Sequence, residues 1–320
     1  MATTSPAINP VSAPNSMVQM PSRGVLFARY LRRNKSLAIG IFIVLFLILF
    51  TVIGSATLNT AKLAYPLAVK PKQPPDLACL FDPTKSVGKG CFPLGSDFYG
   101  RDLLATMVRG IWQTAVIGVM AGAIGTAIGV ILGFISAFYG GVVDTIIKGV
   151  CQVLQPIPVF LIQVLVASSI DKRYVTIYAM ALIICLLAWP GPTLVVRSQV
   201  LSMKERMFVS VARLSGMTNI EIVFKEILPN LLPFIAASFV GQVFGAIFAS
   251  FGLSVLGLGP LREPLIGNTL YFSQYQAALF NNWWWWPLWP TLALILIFGS
   301  LTLINVGLDE VAYPRLRRSE

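Results

Sequence analysis

The chain has 320 residues, 56% of them hydrophobic and only 12% charged, and its mean hydropathy is +0.76. Soluble domains carry roughly 25% charged residues, so the composition argues against a soluble domain and predicts an integral membrane protein. The formal net charge of +11 does not indicate nucleic-acid binding, because the basic residues lie in short loops beside apolar stretches. With no histidine and no P-loop, the sequence offers no catalytic constellation and no nucleotide site of its own.

The N-terminal part predicts a cytoplasmic tail followed by one membrane span. Residues 1–36 are rich in Ser, Thr and Pro, then basic without any acid, which is typical of a disordered tail that ends in a topogenic cluster. Residues 37–58 are uncharged and long enough to cross a bilayer core of ~30 Å. We interpret 37–58 as an uncleaved first transmembrane helix.

Residues 59–109 form a polar segment that is predicted to be extracytoplasmic. Cys79 and Cys91 lie in it, twelve residues apart, and the sequence leaves open whether they form a disulfide or remain two free thiols. The string PLGSDFYGRD at 93–102 places two glycines, two aspartates and an arginine within ten residues. This composition predicts a tight, internally hydrogen-bonded turn at a helix entrance.

Residues 110–308 are predicted to hold five more spans, which makes six in total. The spans are 110–143, 149–169, 174–196, 231–257 and 288–308. Small residues four apart in the first of these five predict close helix packing. Polar side chains on the spans 149–169 and 231–257, the third and fifth of the six, predict either hydrogen bonds between helices or the polar wall of a translocation path. At 100° per residue the three glutamines of the third span share one face. The candidate path residues are Gln152, Gln155, Gln163, Ser238 and Gln242.

The polar loop at 197–230 predicts a helix, a sharp break and a second helix. The first helix is expected to end at Gly216, because glycine adopts a left-handed conformation without steric cost. Thr218 and Glu221 have the spacing of a capping box, and Pro229 is expected to close the second helix. An apolar stripe on that helix is predicted to lie against a partner or against the chain's own spans. The stripe consists of Ile220, Val223, Phe224 and Ile227.

Charge distribution predicts the orientation of the chain. With six spans and an internal N-terminus, the inner loops and tails hold 14 of the 24 Lys and Arg residues and the outer ones hold 10. Both termini, including the tail at 309–320, and the loop at 197–230 are therefore expected to be cytoplasmic. The four consecutive tryptophans at 283–286 most simply mark an interfacial aromatic belt.

Two strings resemble a known family of transporters. Residues 207–229 resemble the EAA loop of ATP-binding-cassette (ABC) importer permeases. The string PLGSDFYGRD resembles the P-L-G-T-D-x-x-G-R-D signature of the C-type subunit in the oligopeptide/dipeptide/nickel permeases. In the first string, Ser210 stands where the family has glutamate. The residues that match its pattern are Val211, Ala212, Gly216, Leu228 and Pro229.

This resemblance implies an all-α, polytopic membrane protein with the type I ABC importer permease fold and no catalytic role of its own. The implied partners are a homologous B-type permease, two ABC ATPase subunits that hold ATP and Mg, and an extracytoplasmic solute-binding protein. The implied location is the bacterial cytoplasmic membrane. The resemblance also implies that the short helix near 218–227 is a coupling helix. The residues expected to couple to the ATPase are Ala212, Gly216, Thr218, Ile220, Glu221, Val223, Phe224, Leu228 and Pro229.

The cargo implied by the resemblance is an oligopeptide or dipeptide, with nickel or oligosaccharides as alternatives within the same family. An ion-gradient-driven secondary transporter is the alternative from another class. Such a transporter needs ionisable residues buried in mid-span. Between residues 110 and 170 only Asp144 and Lys148 are charged, and both lie near a turn, which favours the importer.

Overall fold

A computed structural model describes residues 34–81, 86–88 and 90–312 of the chain. The predicted tails at 1–36 and 309–320 therefore lie largely outside the described residues. Besides α-helices, the described residues form a short 3-10 turn, Ala78–Phe81, a π-helical turn, Val223–Ile227, and two short strands, β1 Ser86–Val87 and β2 Gly90–Cys91. The α-helices are α1 Lys35–Thr57, α2 Thr60–Leu63, α3 Leu103–Tyr139, α4 Gly141–Leu154, α5 Val159–Ser169, α6 Ile177–Cys185, α7 Pro190–Lys204, α8 Met207–Leu214, α9 Asn219–Ile222, α10 Leu228–Val255, α11 Ile266–Tyr275 and α12 Trp285–Ala312.

Four of the described helices are long and apolar enough to cross a membrane, and two bent helix pairs raise the number to six if each pair is one span. The helix pair α4 and α5 bends by 77°, and the pair α6 and α7 bends by 50°. Proline explains both bends, because it removes a backbone donor and clashes with the preceding turn. Pro156 and Pro158 separate α4 from α5, and Pro190 begins α7. The architecture agrees with the predicted all-α, polytopic fold.

Helix α3 lies at the centre of the described fold and packs closely on two sides through its glycines. On one side, a Cβ atom added at Gly118 would lie 2.4 Å from Ile247 of α10, and one at Gly122 would lie 2.9 Å from the backbone nitrogen of Val243. On the other side, one at Gly129 would lie 2.5 Å from Cβ of Pro192 in α7. The glycine spacing therefore acts as the sequence predicts, since small residues let helix backbones approach.

Helix α1 is held against the end of α12. Asn34 caps α1, because its side chain accepts a hydrogen bond from the backbone N–H of Leu37. The same side chain donates to the carbonyl oxygen of Gly307 at 3.1 Å. A Cβ atom at Gly307 would lie 2.6 Å from Cβ of Leu37, so the two helices touch at this point without intervening side chains. The first span is thus anchored to the last one.

The string at 93–102 forms the tight turn that its composition predicts, and it caps α3. Asp97 accepts from the backbone N–H of Arg101 at 2.7 Å, and Asp102 accepts from the backbone N–H of Ala105 at 2.9 Å as the N-cap of α3. Both aspartates are buried. Burial raises the pKa of each carboxyl group to about 6.

The tryptophan run at 283–286 differs from the predicted belt. Trp285 and Trp286 are buried and pack under the turn at 93–102, while Trp284 is 52% exposed. The indole N–H of Trp285 donates to the carbonyl oxygen of Ser96, and that of Trp289 donates to the carbonyl oxygen of Leu94. The turn presents backbone carbonyl groups next to an apolar surface. A tryptophan can donate its indole N–H to such a carbonyl group while its ring packs on the apolar surface.

The close contact at Gly129 gives a first test. We expect Gly129→Ala to destabilise the chain by about 1–3 kcal/mol, because the added methyl group meets Pro192 and the backbone of α7. The measurement is thermal unfolding of the full chain in detergent. Gly149→Ala is the control, because no atom lies within 4 Å of that position, and alanine is the better helix former. Equal unfolding temperatures for the two variants would contradict the packing described for α3.

Candidate functional site

The break between α8 and α9 is a helix-terminating turn built around Gly216. Gly216 has a φ of +83°. Its N–H donates to the carbonyl oxygen of Arg213, and the N–H of Met217 donates to that of Ala212. This pair of hydrogen bonds is the Schellman motif. The prediction that the first helix ends in a left-handed glycine is confirmed, and Ala212 supplies one of the two carbonyl acceptors.

The second helix begins with the predicted capping box. The hydroxyl of Thr218 accepts from the backbone N–H of Glu221 at 3.3 Å, and the carboxylate of Glu221 accepts from the backbone N–H of Thr218 at 3.0 Å. Lys225 donates to the other carboxylate oxygen at 3.1 Å. The prediction of the capping box is confirmed. The capping box thereby provides hydrogen-bond partners for the backbone N–H groups of Thr218 and Glu221, at a turn that is exposed.

The second helix does not end at Pro229, which corrects the prediction of a separate short helix. Helix α9 continues through a π-helical turn, Val223–Ile227, into α10, so that Asn219–Val255 is one span-length helix. The N–H of Leu228 donates to the carbonyl oxygen of Val223, five residues earlier. Pro229 is the second residue of α10 and directly follows the π-helical turn, so the backbone donor that proline lacks falls where the α-helical hydrogen-bond pattern is already interrupted.

The apolar residues of this region divide into a buried set and an exposed set. Ile222 and Ile227 are 1% and 0% exposed and pack with Val209 and Ala212 in one core cluster. The exposed set forms a surface, here called the apolar patch, on the outer sides of α8, α9 and the π-helical turn. Of the predicted stripe, Ile227 thus belongs to the core and Val223 is half-buried. The apolar patch consists of Met207, Val211, Leu214, Ile220 and Phe224, which are 56–89% exposed.

An ion pair that the sequence analysis did not predict fixes the neighbouring part of the fold. Arg197 of α7 donates to both carboxylate oxygens of Asp144 in α4. Ser136 of α3 also donates to Asp144, and Lys204 donates to the carbonyl oxygen of Ala137 at 2.8 Å. Lys204 thus places a positive charge at the C-terminal end of α3, where the helix dipole favours it. No sequence pattern links Arg197 to an acid 53 residues earlier.

The prediction that three glutamines share a face is wrong, because the 77° bend interrupts the helix between Gln155 and Gln163. Gln163 is 5% exposed and donates to the carbonyl oxygen of Ile184, whereas Gln152 and Gln155 are exposed. A groove of about 410 Å³ between α5, α7 and α10 nevertheless contains Gln155, Gln163 and Gln242. Gln152 and Ser238 do not line it.

This groove has an open side. Gly191 and Gly245 line the groove, and no atom lies within 4 Å of the Cβ position of either glycine. Phe248 lines the groove as well and is 60% exposed. The groove is thus open at the surface of the described helices, with the amide of Gln163 buried in its wall and that of Gln155 exposed.

Cys79 and Cys91 are joined by a disulfide in the structure, with a Cα–Cα distance of 5.3 Å. Both sulfurs belong to the segment that connects α1 to α3. The other two cysteines, Cys151 and Cys185, are free and buried in the helical part of the fold. The structure thus selects the paired alternative of the two that the sequence leaves open.

Comparisons with known proteins converge on one group. Residues 125–318 match the family described as "Binding-protein-dependent transport system inner membrane component". The chain is 28% identical over 290 residues to the dipeptide transport system permease protein of Bacillus subtilis (strain 168). This alignment covers 91% of this chain and 85% of that protein. The chain is also 28% identical over 224 residues to the oligopeptide transport system permease protein of Mycobacterium tuberculosis (strain H37Rv). This second alignment covers 70% of this chain and 76% of that protein.

Among solved structures, an inward-facing form of the MetNI methionine ABC transporter matches with a TM-score of 0.49 and 18% sequence identity. The match covers 65% of this chain and 95% of that one.

The disulfide gives a second test. We expect only two of the four cysteines to react with a maleimide when the full chain is denatured without reductant, and all four after reduction. The measurement is the mass of the labelled chain after expression in its native membrane. The variant Cys79→Ser is the control and should expose three reactive thiols without reductant, because Cys91 loses its partner. Four reactive thiols in the unreduced wild type would exclude the bridge.

Proposed function

Since the chain belongs to the family of binding-protein-dependent transport system inner membrane components, we propose that it is a peptide permease subunit that couples to ATPase subunits through the loop at 207–229. The named function of two relatives, dipeptide and oligopeptide transport, supports the peptide cargo. The observation that carries the coupling proposal is the apolar patch on a capped, exposed turn. Membership of this family also confirms the predicted resemblance, and with it the prediction of a transport component rather than an enzyme.

The apolar patch has the properties of a docking surface for a partner protein. Large apolar side chains that are exposed in a contiguous group mark interaction sites in proteins. Phe224 and Ile220 lie on the same turn as Glu221, whose capping box and ion pair with Lys225 hold the backbone of that turn. A preformed turn loses little conformational entropy on docking. We therefore assign the patch to the interface with an ATPase subunit, which in turn would hold ATP and Mg.

The continuous helix Asn219–Val255 supports a mechanical role for this interface. The docked turn and the span α10 form one helix, so that a displacement of the turn moves the end of the span with it. Ile222 and Ile227 tie the π-helical turn to the core through contacts with α7 and α8. Closure of the ATPase subunits would thus be transmitted to α10 as a rigid-body motion.

The groove that contains Gln155, Gln163 and Gln242 is our candidate for this chain's half of the translocation path. Its open side, with uncovered glycines and an exposed phenylalanine, suits a second, homologous permease as the missing wall. Amide side chains offer both donors and acceptors, which suits the peptide bonds of a cargo. Gln152 and Ser238 would contribute only at the margins of this path.

The proposed orientation has both termini and the apolar patch in the cytoplasm and the segment 58–102 outside the cytoplasmic membrane. A disulfide in that segment supports it, because disulfides persist in oxidising compartments. The delivering partner would then be an extracytoplasmic solute-binding protein, and the full assembly would comprise two permeases and two ATPase subunits. The alternative of a gradient-driven transporter finds less support, because the ionisable pair Asp144 and Arg197 is mutually neutralised near a turn.

Substitution of Gly216 tests the coupling role. We expect Gly216→Val to abolish peptide uptake while the protein still inserts, because a β-branched residue at a φ of +83° costs of order 1–3 kcal/mol and changes the angle of the turn. The measurement is uptake of a labelled dipeptide by cells, beside ATP hydrolysis by the purified complex.

Gly216→Asn is the matched control for this test. Asparagine tolerates the left-handed conformation, and no atom lies within 4 Å of the Cβ position of Gly216, so the two variants differ in backbone preference rather than in steric fit. Gly216→Asn should therefore keep uptake. Normal uptake by a well-inserted Gly216→Val variant would contradict the coupling role of this turn.

Charge placed on the apolar patch tests the docking surface. We expect Phe224→Asp to reduce the amount of ATPase that co-purifies with the chain by about tenfold or more, because a buried aromatic anchor at an interface contributes roughly 2 kcal/mol or more. The control is Phe280→Asp, since Phe280 is 93% exposed but lies between α11 and α12. If the two variants retain equal amounts of ATPase, or if no ATPase co-purifies with the wild type, the proposed function fails.

A further inference from the structure

We propose that a groove between α1 and α3 binds one membrane phospholipid, with the phosphate group at Arg109 and an acyl chain along α1. The groove consists of a cavity of about 450 Å³, here called the polar cavity because Arg109 and Gln113 line it among mostly apolar groups, and an apolar cavity of about 250 Å³. Thr51 of α1 and Trp112 of α3 line both cavities, so the two are adjacent. A polar end joined to an apolar channel matches the chemistry of a phospholipid.

The polar cavity contains buried groups whose hydrogen-bonding capacity is not used. Gln113 is 5% exposed, and its amide nitrogen donates to Glu263 at 2.6 Å. Its Oε1 atom has no hydrogen-bond partner among the described residues, and the same holds for Nε of Arg109. Ser55 and Thr60 add hydroxyl groups to the same lining. Oε1 of Gln113 and Nε of Arg109 are both enclosed by protein, and the Arg109 guanidinium group lies 5.4 Å from the centroid of the Tyr65 ring. A phosphodiester in the cavity would therefore accept its charge-assisted hydrogen bond from the outer nitrogen atoms of this guanidinium group.

The two cavities together have the depth of one leaflet of the bilayer. Along α3 their combined lining runs from Val108 to Val119, which is about 16 Å at 1.5 Å per residue. A leaflet is half of the ~30 Å hydrocarbon core. Along α1 the lining runs in the opposite direction, from Ser55 to Val44. The polar end therefore lies at the membrane surface, beside the segment 58–102, and the apolar end lies near the bilayer centre.

The rim of the groove favours a lipid over a helix of another protein. Trp112 and Tyr178 flank the polar cavity and are 56% and 62% exposed. Such amphipathic rings are enriched where a membrane protein meets the headgroup region. Ile48 and Val119 at the apolar end are about half exposed on span-length helices, so acyl chains cover them in a bilayer. An Arg beside these rings recognises a phosphate, which a transmembrane helix lacks.

The test uses the full transporter complex, purified and depleted of lipid by detergent washing. The probe is phosphatidylglycerol with a photoreactive diazirine in one acyl chain, and the readout is the mass-spectrometric position of the crosslinks. We expect crosslinks on residues 44–55 and 108–119. We expect Arg109→Gln to weaken the binding that gives these crosslinks about tenfold, since a hydrogen bond to a charged group is lost. The control Lys70→Gln removes an exposed cation from the same side of the membrane and should leave them unchanged.

A second variant separates the lipid from a free anion. Ala115→Phe fills the apolar cavity and should abolish the crosslinks while Arg109 stays in place. Glycerol phosphate, which carries the headgroup chemistry without acyl chains, should compete only at concentrations at least about tenfold higher, because it gains nothing from apolar burial. Equal competition by glycerol phosphate, equal crosslinking in Arg109→Gln, or the lack of crosslinks at 108–119 in the wild-type complex would each overturn the proposal. Unchanged thermal unfolding of each variant complex verifies that it is folded.

Discussion

The close approach of helix backbones at α3 is the constraint on which the rest of the fold depends. Two rows of glycine on this helix admit α10 on one side and α7 on the other, and side chains of those two helices lie directly against its backbone there. Without a strong hydrophobic driving force between helices inside a bilayer, such van der Waals contact is the main attraction available. Helices α7 and α10 line the candidate groove, and α10 continues from the capped turn. The glycines of α3 thus determine how closely both helices pack against it.

Each end of α3 is fixed by a different kind of interaction. At one end, the turn at 93–102 caps the helix through Asp102 and is itself held by the indole groups of Trp285 and Trp289. At the other end, Asp144 and Arg197 connect α4 to α7, with Lys204 on the last carbonyl groups of α3. Polar contacts at the two ends of α3 and apolar contacts between them together hold the centre of the fold, to which the bent helix pairs are attached.

The sequence predicts local structure here far better than it predicts tertiary placement. The capping box of Thr218 and the left-handed glycine at 216 depend on neighbouring residues alone, and both were predictable. The shared face of the glutamines was not, because it assumed a straight helix across Pro156 and Pro158. Periodicity likewise shows that Ile220 and Ile227 lie on one stripe, but only packing determines that the first is exposed and the second is buried. The partner of Arg197 depends on a fold that brings distant helices together.

The π-helical turn at Val223–Ile227 has a consequence for how this chain tolerates changes in length. The turn holds one residue more than the α-helical turn it replaces, because its hydrogen bond joins Leu228 to Val223, five residues earlier. Loss of a single residue from the turn would convert this bond to the i→i+4 bond of a regular α-helix. The residues before the turn would keep nearly the same facing, so Ile222 would stay in the core. This short segment is therefore the place where the helix can lose one residue without changing which of its faces is buried.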